Sequence, residues 1–123
     1  MLFRSKGFSN VNEFVKQFAA RGGHVIIGSD TSSGRVPGIA FHQEMQMMAD
    51  AGVANYRVLL AATRWSAELM RKDKEIGTVA AGKQADFVIL SADPLADIAN
   101  TKKIAAVIRR GKRVSSGPGG PEK

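Results

Sequence analysis

The 123 residues, 44% hydrophobic and 24% charged, have the balance of one globular domain rather than a disordered chain; no apolar run approaches the ~18–20 residues of a membrane span. Cysteine is absent, which excludes disulfide and thiolate–metal frameworks, and with no signal-peptide core after Met1-Leu2-Phe3-Arg4 the expected compartment is the cytoplasm. The formal charge of +7, from 18 Lys and Arg against 11 Asp and Glu, raises the question of an anionic partner.

Residues 1–8 give little periodic signal. Asn10, with Glu13 three residues on, predicts a capped helix over 10–21 with Val11, Phe14, Val15 and Phe18 as its apolar stripe and Gly22-Gly23 as its stop. The run His24-Val25-Ile26-Ile27-Gly28 predicts a buried parallel strand, so helix, glycine pair and strand form an αβ unit of the kind repeated in parallel α/β folds. In barrels and open α/β sheets the chemistry sits where such a strand ends, which makes Asp30 the first candidate site residue. The alternative is a loop aspartate that caps the following turn.

The next eight residues, Thr31 to Gly38, are too rich in small and turn-forming residues for regular structure. Within them Arg35 is placed to meet an anionic substrate group, or equally to stand as a solvated loop cation. A second helix is expected with Phe41, Met45, Met48 and Ala49 on one face and Gly52 as its stop. Near its start His42, with Glu44 two residues on, is either a pocket residue or a satisfied surface or core histidine. A third helix is expected from an Asn55 cap through Val58, Leu59 and Ala62, and a fourth with Trp65, Leu69 and Met70 inward.

From Gly77 the pattern turns to β. Phe87-Val88-Ile89-Leu90 predicts a strand, and 104–109 with 112–114 predicts a hairpin turning at Arg110-Gly111. A boundary is therefore expected near residue 76, dividing 1–76 from 77–114, with 115–123 a disordered Gly, Pro and Ser tail. The basic clusters fall at Arg71, Lys72 and Lys74, at Lys102 and Lys103, and at Arg109, Arg110, Lys112 and Arg113. Such clusters admit nucleic acid as a partner, but no aromatic interleaving accompanies them, so solvated helix ends and a hairpin are the preferred reading.

Taken together, Gly28-Ser29-Asp30, Val36-Pro37-Gly38 with His42 and Glu44, Leu60-Ala61-Ala62-Thr63, Ile76-Gly77-Thr78-Val79, Gly82 to Leu90, Asp93-Pro94-Leu95 and the closing hairpin resemble one family. In order and spacing they are similar to the C-terminal part of metal-dependent amidohydrolases, imidazolonepropionase-like and Xaa-Pro dipeptidase-like members above all. The resemblance implies an α/β fold: the last αβ unit of a TIM-type barrel with further helices, followed by the C-terminal strands of a small β-sandwich. It implies hydrolysis of C–N bonds in cyclic amides or dipeptides with a divalent metal, zinc or similar. Asp30 then matches the eighth-strand aspartate that binds the metal and takes a proton from its hydroxide, while His42 falls in a region that lines or borders the pocket.

The family site also uses a His-x-His pair, a bridging carboxylated lysine or glutamate, and two further histidines. This chain has two histidines in all, His24 and His42, and His24 enters the expected strand at the end away from Asp30. A catalytic zinc usually has three protein ligands, so no metal is expected in the chain alone and no hydrolysis by it. Three accounts follow: a fragment or truncated member of the family, one component of a split hydrolase completed by an N-terminal barrel partner, or a basic nucleic-acid- or protein-binding module. One αβ unit cannot close a barrel, so strand edges and apolar faces would be left to pair, and a homo-oligomer is the expected state of the isolated chain.

Overall fold

A computed structural model describes residues 2–30 and 36–116. Its elements in chain order are α1 (Leu2–Ala20), α2 (Ile39–Asp50), α3 (Asn55–Ala62), α4 (Arg64–Leu69), β1 (Phe87–Leu90), a 3₁₀ turn (Ile98–Lys102), β2 (Ile104–Arg109) and β3 (Lys112–Ser116). The arrangement is thus a helical part followed by a small antiparallel sheet.

The first helix starts well before the expected Asn10 cap, which leaves Asn10 in its interior. Nothing in 2–9 breaks a helix except Gly7, whose cost of about 1 kcal/mol is small enough for the long helix to absorb. Glu13, freed from any capping box, accepts from Gln17 Nε2 at 2.8 Å, and Gln17 Oε1 accepts from Arg21 at 3.1 Å. The helix stops as its glycines require: Gly22 turns left-handed at φ 87°, its N–H reaches Ala19 O at 3.0 Å, and Gly23 N–H reaches Phe18 O at 2.9 Å. This pair of bonds is the Schellman motif. It recurs after α2, where Gly52 N–H bonds Ala49 O at 2.8 Å and Val53 N–H bonds Met48 O at 3.0 Å.

The core gathers Ala19, Met45, Val53, Val58 and Ile98, with Val15, Ile27, Phe41, Met48, Ala49, Leu59 and Ala62 packed against it. The expected inner face of α2 is therefore correct. Expectation and structure part at α4, where Trp65 is buried but Leu69 and Met70 stand exposed. Asn55 does not cap α3 either. Ala54 occupies the cap position, and the Asn55 amide donates to Leu95 O at 2.9 Å, a tie to a loop forty residues on.

The expected strand at 24–28 forms no sheet ladder. Its burial still alternates as a strand's would: Val25, Ile27 and Ser29 are half-buried, while His24, Ile26, Gly28 and Asp30 are exposed. A strand needs a neighbour, and among the described residues the sheet is formed entirely by later segments. There β1, β2 and β3 pair antiparallel in that order, with Phe87 opposite Ile108 and Arg109 opposite Lys112. The expected hairpin turn is present: Arg110 and Gly111 take φ of 51° and 75°, the left-handed pair that a two-residue turn requires. Ser115 and Ser116, expected in a disordered tail, are the end of β3; residues 117–123 of that expected tail lie outside the described residues.

Candidate functional site

The segment 24–29 brings the chain to Asp30, which is exposed and holds a left-handed φ of 39°, unusual for a residue with a side chain. Two residues earlier, Gly28 N–H donates to Glu44 Oε2 at 2.8 Å. Glu44 lies on α2, whose inner face is fixed by the buried Ala40 and Met45. The end of the segment is thus held against a packed helix by a carboxylate rather than by a sheet.

His42 lies two residues before Glu44, and positions so spaced point about 200° apart around a helix. The geometry follows that rule: Glu44 reaches back to Gly28, and His42 reaches forward to the 3₁₀ turn. His42 Nδ1 lies 3.0 Å from Thr101 Oγ1, and that hydroxyl donates to Ile98 O at 2.8 Å. A threonine has one hydroxyl proton, already given to Ile98, so Nδ1 carries the hydrogen shared with Thr101. Burial first, and the nearby Lys102 charge second, hold the His42 pKa below its ordinary 6.5. The ring is consequently neutral at pH 7 and leaves an Nε2 lone pair.

His24 packs elsewhere. Its ring stacks on Trp65 at 4.2 Å between centroids and 12° between planes, and its Nδ1 lies 3.8 Å from Glu68 Oε2. Arg35, the loop cation considered for substrate, lies outside the described residues. Among the described residues no group of three or more His, Cys, Asp or Glu is placed to hold a metal ion. The donors described here therefore do not by themselves fit the family's metal. The part of Glu44 was missed from sequence: its spacing placed it on a helix, but which segment that helix approaches is a tertiary fact.

Three comparisons bear on this geometry. The Amidohydrolase family model matches residues 4–114. Among solved structures, a prolidase-assigned protein from Bifidobacterium longum is 33% identical with a TM-score of 0.75, covering 85% of this chain and 26% of that one. A Xaa-Pro dipeptidase crystallised with methionine in its active site has the same TM-score of 0.75 at 22% identity, covering 87% of this chain and 26% of its own, a likeness of fold alone. Molinate hydrolase is 27% identical with a TM-score of 0.60 over 72% of this chain and 23% of that one. No curated protein matches the chain. The chain spans about a quarter of the length of these solved relatives. With a family match running from residue 4 to residue 114, this chain belongs to the amidohydrolase family.

Proposed function

We propose that this chain supplies the closing segment of an amidohydrolase barrel, and that Asp30 is the carboxylate it contributes to the hydrolysis of C–N bonds in cyclic amides or dipeptides. One observation carries this reading: residues 24–30 belong to no helix and alternate in burial with period two, have no strand beside them among the described residues, and deliver Asp30 at their end. A carboxylate at the mouth of a barrel accepts and returns the proton moved in such a hydrolysis. With one such carboxylate and no further ligand cluster described, the chain alone is catalytically empty, and the remaining ligands come from barrel elements outside it.

The surface supports the same reading. Phe8, Val11, Phe14 and Phe18 stand exposed at a spacing that puts them on one side of α1, with the Phe14 and Phe18 rings stacked at 5.9 Å, and Ile26 of the segment is exposed as well. A contiguous apolar face of this kind is one that a partner covers. The preceding barrel elements are that partner in the assembled enzyme, and a second copy of the chain takes their place in isolation.

The test is reconstitution with a polypeptide carrying the preceding barrel strands of a prolidase-type relative. Hydrolysis of Xaa-Pro dipeptides should appear only in the mixture and should be abolished by Asp30→Asn. A mixture that remains fully active with that substitution would remove Asp30 from the chemistry.

A second reading has its own observation. Arg109, Arg110, Lys112 and Arg113 are all exposed at the hairpin, and no salt bridge engages them among the described residues. If these cations bind nucleic acid, affinity falls steeply with salt and with charge reversal at the four positions. Salt-insensitive or absent binding rejects that reading.

A further inference from the structure

We infer that Glu44 is a positioning residue for Asp30: its carboxylate, mounted on α2, clamps the Gly28 N–H and so fixes where the segment releases Asp30. This rests on reading Asp30 as the working carboxylate.

The Gly28–Glu44 bond is short, at 2.8 Å, and charge-assisted, which places it among the stronger kind. It is also isolated, because no other hydrogen bond joins the backbone of 24–29 to the described residues. In a sheet, each residue of a strand shares the task of holding the next, but among the described residues Glu44 is the one acceptor that bonds the backbone of 24–29. The clamped residue is a glycine, whose backbone has the widest freedom of any residue. A Cβ at Gly28 would meet nothing within 4 Å, so close packing does not limit that freedom. Asp30, two residues on, holds the left-handed φ of 39°, a conformation that persists when the surroundings over-determine it.

The mount is rigid in the way a positioning residue needs. Ala40 and Met45 are buried on α2, and on the other side of the same helix His42 is tied to Thr101 at 3.0 Å. The half-buried Glu44 thus transmits the position of a packed helix to the end of the segment that carries Asp30. An incidental surface contact would leave Asp30 indifferent to the loss of the carboxylate.

The experiment compares Glu44→Met with Glu44→Gln in the labelled whole chain by NMR. Both match the length of glutamate and suit a helix, but glutamine alone keeps an acceptor. With methionine, hydrogen exchange at the Gly28 amide should accelerate at least tenfold and the Asp30 backbone shifts should move toward averaged values, while the Val53 and Val58 amides exchange as before. Glutamine should restore both signals. Should methionine loosen the whole fold, seen as faster exchange at Val53 and Val58, the glutamine variant still decides: lost Gly28 protection in a folded chain that retains an acceptor overturns the clamp. Unchanged Gly28 exchange or unchanged Asp30 shifts with methionine overturn it as well. Asp30→Asn serves as the separating control, since it should leave Gly28 protection intact. Its effect on activity in the reconstituted mixture tests the reading of Asp30 independently of the clamp.

Discussion

Arg71→Gly should stabilise this protein, for a reason its other helices supply. After α4, Arg71 N–H bonds Glu68 O at 3.0 Å and Lys72 N–H bonds Ala67 O at 2.8 Å, the same pair of bonds that closes α1 and α2. In those two helices the left-handed residue is glycine, at φ 87° and 92°, whereas here it is an arginine at φ 56°. The left-handed conformation costs an L-residue about 1–2 kcal/mol, which glycine does not incur. Against this, glycine adds about 0.4–1 kcal/mol of unfolded-chain entropy. The net expectation is a gain of roughly 0.5–1 kcal/mol. Arg71 is exposed and makes no salt bridge among the described residues, so its side chain offers nothing to set against that gain. Urea unfolding should show a higher midpoint at unchanged slope. The mirror substitution, Gly52→Ala, should lower the midpoint, because it imposes the same penalty at φ 92° and brings a Cβ to 3.2 Å from Lys16 Cδ. An Arg71→Gly variant no more stable than the parent would refute the reasoning.

Other expectations follow from the same contacts. Gly77→Ala should destabilise by roughly 2–5 kcal/mol, since its Cβ would lie 2.6 Å from Ala67 Cβ and 3.2 Å from Arg64 Cα at φ 89°; a midpoint within error of the parent contradicts this. His42 has a folded pKa below 6.5, so the unfolded chain binds the proton first on acidification. Its stabilisation is complete above about pH 6.5 and is lost as pH falls from there toward the folded value. His42→Asn, which keeps a donor for Thr101 but does not titrate, should flatten that part of the stability profile. The isolated chain should self-associate through α1, and Phe14→Glu, at a position 66% exposed, should shift it toward monomer in light scattering. A parent chain that stays monomeric at every concentration tested overturns that expectation.

What the sequence made legible was local. The apolar spacing of Phe41, Met45, Met48 and Ala49 marks α2 because one buried face dictates it, and Arg110-Gly111 marks the hairpin because few other pairs accept two left-handed residues. Long-range facts were not legible in the same way. The apolar run 24–28 reads as a buried strand, yet Ile26 is exposed and only alternate residues, Val25, Ile27 and Ser29, are half-buried, because pairing depends on a neighbour that an apolar run does not supply. Asn55 has the chemistry of a cap and is diverted by Leu95 O, forty residues away. Arg71 carries no sign of a helix terminator, because the signal ordinarily lies in glycine. In the candidate site, Asp30 is a candidate from its place after an apolar run. The partner of its segment, Glu44, required knowing that α2 lies alongside, and the division of labour between His42 and Glu44 follows only once both sides of that helix are seen to be occupied.

The most direct test of the central claim is the mass and metal content of the purified chain, measured by light scattering on a gel-filtration column with elemental analysis of the peak, without and then with the complementary barrel polypeptide. Closing-segment behaviour predicts a metal-free oligomer alone, and a defined complex that acquires divalent metal when the partner is added, with less metal when Asp30 is replaced by asparagine. Stoichiometric metal on the chain alone, or a complex whose metal content is indifferent to Asp30, would contradict it.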